Sequence, residues 1–533
     1  MRFDAYHAGG QPIPRDPLSI GIAAITVFEA ASGVAIGFEA AAFVGQVIIA
    51  SSVIAASVLL TSKPDGSGSL GNFAINAPEM RINRRQPTPH KKIIYGLAET
   101  GGDMFFEEAK APYLTHGFMH CAREIEGFVR CRIGTDVIAV LTTTEFLPTD
   151  QIITPQGRLV DGAITASPDY ATNLRLSLRT GSTTQVIDPL LDADFTSLEA
   201  DFRQRGIATA VLRYKWPGTT YDDRQAMWGD GQAPNPLFLI KGVRVYDPRD
   251  PTQSRDDEST WQWSDNASLI IADYLRQPYG GRIDAAKIDY DRVAEAADYD
   301  DELVGTTTDG EMIRRHTING VVTMNQAPSE VLRSMLSANR GRVCEQAGTF
   351  WVSSSRPKEP VLTIDDSMLA GGIDYQPAKP KRDLLNRVFS RFIASERDYQ
   401  QVDGPVHDRT DLQATDGEIF AATLSLPFTL DHRRVQRLQK QYLETARLGK
   451  MLTLRVSLDA MAISETELLD EVITFDSDLF SPANGNYRVV SVGFAENYAA
   501  VELNLSEYDG NIESDWVPAD DEQPFEISDL DLT

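Results

Sequence analysis

Hydrophobic and polar positions between Phe238 and Gly281 follow three patterns in a fixed order. Residues 238–246, Phe-Leu-Ile-Lys-Gly-Val-Arg-Val-Tyr, read as a strand ended by Asp247-Pro248-Arg249. A polar loop carrying Trp261 and Trp263 follows. Apolar positions then recur at helical spacing over 266–275, an amphipathic helix stopped by Pro278 and Gly280-Gly281. The same periodicity predicts helices over 284–298, over 328–336 (where Pro328 gives a clean start) and from about 432 to 447, with a short one over 197–205. Much of the rest reads as short strands: 93–96, 104–106, 113–120, 125–133, 137–141, 174–179, 206–214, 350–352 and several runs after 361, with a tight hairpin turn at Asn484-Gly485-Asn486. The regular spacing of the last third suits a β-barrel or sandwich. The fold class expected is mainly β with α, multidomain, with helical connections.

The N-terminal pattern differs. Residues 17–60 are almost continuously apolar, with only Glu29 and Glu39 charged. The uncharged half, 40–60, is about long enough to span a bilayer. Its length, and Asp16 beside its start, do not fit a typical signal peptide. A membrane span is one reading. Helices of an oligomer packed inside a protein-lined channel are another: Ala31, Gly33, Gly37, Ala41 and Gly45 permit close helix contact, and the two glutamates favour a lined setting. Lys63 to Gly71 is a flexible linker. The boundaries expected are an apolar helical segment (1–62), a linker (63–72), β-rich domains (73–165 and 166–250), an α/β connecting region (251–345), a second β-barrel or sandwich domain (346–515) and an acidic tail, extended or in contact (516–533).

Charge narrows the function. The 533-residue chain carries a formal net charge of -27, so it will not wrap DNA or an anionic membrane by charge attraction, and no sequence-specific nucleic-acid binding is expected. Such acidity suits the wall of a DNA-conducting tube, and equally plain solubility. Arg81, Arg84, Arg85, His90, Lys91 and Lys92 form a basic patch, either a solvated loop or a contact for an acidic neighbour. Three cysteines, Cys121, Cys131 and Cys344, give no disulfide framework and fit assembly in a reducing cytoplasm.

Candidate chemistry is sparse. The chain lacks a Walker-type loop, G-x-S-x-G and H-E-x-x-H. His116, His120, Cys121 and Cys131 are metal-ligand types, but two histidines four residues apart on one strand sit about 13 Å apart, too far for one zinc. Structural use is the better reading. Asp298, Asp300, Asp301 and Glu302, with Asp309 and Glu311, resemble a calcium loop loosely, but Leu303 stands where the turn needs Gly, so a helix end and solvated loop is preferred. Trp261 and Trp263 suit a stacking platform or, better, a core or interface anchor. Cys344 reads as a buried thiol. No residue is assigned as catalytic, cofactor-binding or metal-binding, and no cofactor or enzymatic activity is expected.

The words of the sequence add a resemblance. "KGVRVYDPR", the Trp-containing loop, "NASLIIADYL" and "YGG" resemble, in order and spacing, the central region of the tail-tip attachment protein J, or central tail hub, family of long-tailed phages. "IIYGLAETGGDMFFEE", "GIATAVLRYKW", "RVAEAADYDDELV" (Asp298 in place of the usual Cys), "RRHTINGVVTMNQAPSEVLRSMLSANRGRV" (His316 in place of the usual Tyr) and "LLNRVFSRFI" are similar to the same family, covering roughly 73–510. The resemblance implies tail-tube-like β-barrel hub domains. It implies a homotrimer that closes the distal end of the tube, meets the distal tail and tape measure proteins, and opens for DNA ejection. Larger members continue into receptor-binding modules, so fibre or receptor-binding proteins are expected as separate partners. Residues 17–60 would then line the channel or make transient contact with the host membrane. The reading from another class is a membrane-anchored surface or carbohydrate-binding protein.

Overall fold

The computed structural model describes residues 83–525, apart from 86–87, 135, 141–150, 154–157, 161–162, 166–172, 200, 217–221, 223–232, 234, 307–309, 459–467, 496–499 and 515. The apolar segment 17–60 and the linker 63–72 lie outside the described residues.

The chain is mainly β with helical connections, as its pattern predicts. Strand Pro236–Val245 organises the first part. It pairs antiparallel with Ile125–Ile133, Leu97–Thr100 and Gln262–Trp263. A second sheet runs in the order Asp103–Lys110, Tyr113–Cys121, Ala208–Lys215, Leu174–Arg179, Gln151–Ile153. Strand Lys92–Tyr95 pairs with Gly320–Thr323, and its Ile93, Ile94 and Tyr95 are fully buried in the largest core.

Helix α1 (Ala267–Arg276) sits in that core. Asn266 caps it, accepting from the Leu269 amide at 3.2 Å. The pattern predicts an amphipathic helix, but every residue from Ala267 to Leu275 is buried. A helix buried all round belongs inside a large core, which explains why polar Ser268 and Asp273 on it need partners. Helix α2 (Tyr290–Asp301) starts later than the pattern predicts: Asp289 caps it through the Asp291 and Arg292 amides, and residues 285–287 form only a 3-10 turn. Helix α3 (Pro328–Leu336) follows its Pro start. Residues 197–205 form no helix among those described. The helix lies instead at Pro189–Asp194, where Asp188 caps the Leu190 amide.

Two further cores follow. One joins a six-stranded sheet in the order Pro360–Ile364, Val472–Phe475, Gly485–Ala495, Ala500–Glu507, Met451–Val456, Leu369–Gln376. The outermost strands are not paired to each other, so this sheet is open rather than a closed barrel. Asn484-Gly485-Asn486 is not a tight turn, since Gly485 already pairs with Phe475 and residues 476–484 make the connection. The other core packs helix α4 (His432–Arg447) on strand Arg387–Ala394, which pairs parallel with Ala421–Leu426. Helix α4 buries polar side chains because they tie neighbours together: Arg434 donates to the Arg314 carbonyl at 3.0 Å, Arg437 to the Arg315 carbonyl, and Gln439 to the Pro405 carbonyl at 2.9 Å.

Candidate functional site

The organising stretch closes on a buried polar cluster. Asp273 on α1 accepts from the Tyr95 hydroxyl at 2.7 Å and from Arg123 Nη1 at 2.8 Å. Tyr279, in the segment that ends the stretch, lies 2.9 Å from the Tyr95 hydroxyl and 3.0 Å from Arg123 Nη1. Burial, with the Asp273 charge beside it, pushes the Tyr95 phenol well up, so it stays protonated and donates. The cluster joins the strand of Tyr95, the segment of Arg123, and the middle (Asp273) and end (Tyr279) of the "NASLIIADYLRQPYGG" motif. Two glycines of the stretch permit this packing. A Cβ on Gly242 would stand 2.0 Å from the Ile94 carbonyl oxygen, and one on Gly280 1.9 Å from that of Tyr274.

Arg249, the last residue of "YDPR", brackets the acidic run. Its guanidinium donates to Asp247 (2.8 and 2.9 Å), Asp298 (3.0 Å) and Asp301 (2.9 Å). These carboxylates raise its pKa further. A cation is therefore already built in where a calcium ion would be sought. Glu302 pairs with Arg315 and Glu311 with Arg433, while Asp309 lies outside the described residues. The helix-end reading holds, since α2 ends at Asp301.

Asp300 is turned the other way, into the core. Its Oδ2 accepts from the Ser268 amide at 2.9 Å and hydroxyl at 2.6 Å, and its Oδ1 lies 2.9 Å from His316 Nδ1. Ser, His and Asp are together, but Ser268 and His316 each bond the carboxylate rather than one another, and all three are at most 1% exposed. This arrangement caps α1 and does not activate a nucleophile. Burial pushes the Asp300 carboxyl up to about 7, against the Ser268 and Asn339 hydrogen bonds. Burial and the surrounding arginines hold His316 well below its usual range.

The other singled-out residues serve packing. Cys121 and Cys131 are buried in the largest core, and burial raises both thiols. His120 packs edge-on between Phe128 and Phe238, and burial brings its pKa down to about 3. His116 sits 3.4 Å from Glu107. Among the described residues no group of three His, Cys, Asp or Glu could hold a metal ion. Trp261 is 3% exposed, donates to the Ser254 carbonyl at 2.8 Å and lies under Arg276. Trp263 donates to the Gly96 carbonyl at 3.2 Å and lies under Lys241. Both are anchors rather than a stacking platform. Cys344 is buried beside Trp351 and Leu469. The basic patch divides: Lys92 is buried against Asp103 at 2.8 Å, Arg85 pairs with Glu107, His90 and Lys91 are exposed, and Arg81 lies outside the described residues.

The sequence names 516–533 an extended or contact tail but does not say what residues 516–525 would contact. Asp521 pairs with Lys440 at 2.9 Å, Gln523 exchanges hydrogen bonds with Gln436, and Phe525 stacks on His432 with centroids 5.0 Å apart. This segment straps helix α4. The lone Phe in an acidic tail was the available signal.

Residues 327–466 match the family Phage-tail_3, described as "Putative phage tail protein". The fold is shared with a chain of the structure "Virion of native gene transfer agent (GTA) particle", at 15% identity and a TM-score of 0.57, over 92% of this chain and 100% of that one. A tail protein from Neisseria meningitidis MC58 aligns at 10% identity and a TM-score of 0.30, over 80% and 95% of the two chains. The 43 kDa tail protein of prophage MuSo2 from Shewanella oneidensis aligns at 10% and 0.29, over 79% and 100%. No curated protein matches the chain. The family match over 327–466 supports a phage tail structural protein, and the likeness to the virion chain shows the fold.

Proposed function

We propose that the chain is the structural hub of a phage-type tail tip. As a homotrimer it closes the distal end of the tail tube, bridges the distal tail and tape measure proteins to separate fibre or receptor-binding proteins, and opens for DNA ejection. It carries no catalytic role. Residues 17–60 line the channel or touch the host membrane transiently. The observation that carries this reading is a fold shared with a virion chain over 92% of this chain and the whole of that one. Three further features support it: the tail-protein family match over 327–466, the motif resemblance over roughly 73–510, and an acidic balance that keeps DNA from adhering. The buried polar joints between cores also suit a part that must hold its shape under load. The test is immunogold electron microscopy on purified particles with antibody to residues 361–510. Gold confined to the distal tail end is expected. Gold absent from particles, with the protein in host membranes instead, rejects the hub.

A further inference from the structure

A cavity of about 210 Å³, open to solvent, lies where the three cores meet. Strand Arg342–Gln346, the C-terminal end of helix α4 and the six-stranded sheet all contribute to its lining. Five cations line it, Arg340, Arg342, Lys379, Lys450 and Arg488, with four carboxylates, Asp470, Glu507, Asp509 and Glu513.

Their pairing is uneven. Arg340 has its own carboxylate, Glu513 (2.8 and 2.9 Å), and donates to the Thr445 hydroxyl (2.6 Å). Lys450 faces Glu507 at 3.8 Å. Asp470, by contrast, is one carboxylate serving three cations. Arg342 Nη1 is 3.2 Å from its Oδ1, Arg488 Nε is 3.8 Å from the same oxygen, and Lys358 Nζ is 3.1 Å from Oδ2, which also accepts from the Ser353 hydroxyl at 2.6 Å; Lys358 has Glu471 besides, at 3.1 Å, so it is Arg342 and Arg488 that depend on Asp470. Arg488 Nε is buried without a hydrogen-bond partner, while the face of its guanidinium lies 4.7 Å from the centre of the Tyr508 ring. Burial and the neighbouring Arg488 push Arg342 down to about 10, the response of a guanidinium short of negative charge. Burial alone would raise Asp470, yet Lys358, Arg342 and Arg488 hold it well below the usual carboxylate range.

A clamp built only to brace the cores would match each cation with its own acceptor, because a buried unpaired charge costs several kcal/mol. Here Arg342 and Arg488 share one carboxylate, Asp470, in a chain whose net charge is -27 and in a space open to solvent. We infer that this cavity binds a small oxyanion of the phosphate type, held by Arg488 and Arg342, which completes the joint between the three cores. Arg488 supplies the unpartnered N–H, Arg342 the second guanidinium, and the cavity volume accommodates a tetrahedral anion with its remaining water. The inference concerns the joint and stands apart from the tail-tip reading.

Thermal unfolding and calorimetric titration of the full chain with inorganic phosphate, against chloride at equal ionic strength, test it. The expected result is a saturable rise in Tm of about 2 °C or more. Arg488→Gln should weaken phosphate binding about tenfold or more, while Arg391→Gln, outside the cavity, leaves it unchanged. Cys344 lines the same cavity, so phosphate should also slow its alkylation, read by mass spectrometry in wild type and in R488Q. Absence of a saturable effect, or an equal effect in R488Q and wild type, overturns the site.

Discussion

Asp273 accepts a hydrogen bond from the Tyr95 hydroxyl at 2.7 Å across 178 positions of sequence. Arg123 shares the same carboxylate oxygen at 2.8 Å, and the Asp273 side chain is only 2% exposed. Removing one partner of such a pair leaves an uncompensated buried charge. Asp273→Ala should therefore cost about 3–5 kcal/mol, seen as a lower denaturation midpoint with an unchanged slope. The double change Asp273→Leu with Arg123→Met should recover much of that loss. If the double variant is as unstable as the single one, the cluster does not act through paired charge.

Arg249 occupies the position a divalent cation would take among Asp247, Asp298 and Asp301. Arg249→Ala should cost about 1–2 kcal/mol by leaving three carboxylates facing one another. Millimolar calcium should then restore part of the lost Tm in the variant and do nothing specific for the wild type. Equal calcium response in both proteins would show that the arginine is not the resident cation.

Asp300 gives a pH signature with a definite sign. Its folded pKa is about 7 against an ordinary 3.8, so its contribution is complete below pH 3.8 and is lost as pH rises through 7. His116, His120, His316 and His407 are all depressed, so their contribution runs the other way, growing as pH climbs towards 6.5. In the wild type the two trends oppose between pH 4.5 and 6.5. Asp300→Asn removes the first and, by taking a carboxylate from beside His316, can only strengthen the second, so stability should rise more steeply with pH, by up to about 1.4 kcal/mol per pH unit for one proton. Urea unfolding across that range measures it, and parallel curves for the two proteins would refute the assignment.

Local signals were legible in the sequence and long-range pairings were not. Helices α3 and α4 begin and end where periodicity and Pro328 place them, and the strand before Asp247-Pro248 lies within two residues of its predicted span. The all-round burial of α1 was hidden, because its polar Ser268 and Asp273 mimic a solvent face while bonding to Asp300 and Tyr95. The Arg249 bracket spans 49 and 52 residues to its carboxylates, and no local pattern announces such a pairing. The parallel pairing of Arg387–Ala394 with Ala421–Leu426 is likewise non-local, which is why the last third read as one β unit although its residues divide between two cores. The cavity between the cores depends on side chains from 340 to 513 meeting in space, so only the fold could reveal it.

Gly242 marks where the strand Pro236–Val245 passes over Ile94. Its amide donates to the Gly96 carbonyl at 2.7 Å, and an added Cβ would meet the Ile94 carbonyl oxygen at 2.0 Å and its carbon at 2.5 Å. Those atoms are backbone inside the largest core, where Ile94 is fully buried, so neither chain can give way without moving a sheet. Gly242→Ala should thus cost about 3 kcal/mol or more through overpacking. Gly372→Ala offers the comparison: its Cβ would meet nothing within 4 Å, and the position is exposed, so the change should stay within about 0.5 kcal/mol. Thermal melts of the two variants decide the matter. A Gly242→Ala protein that melts with the wild type would mean that the crossing is looser than the geometry states, and that "KGVRV" is held by something other than close backbone contact.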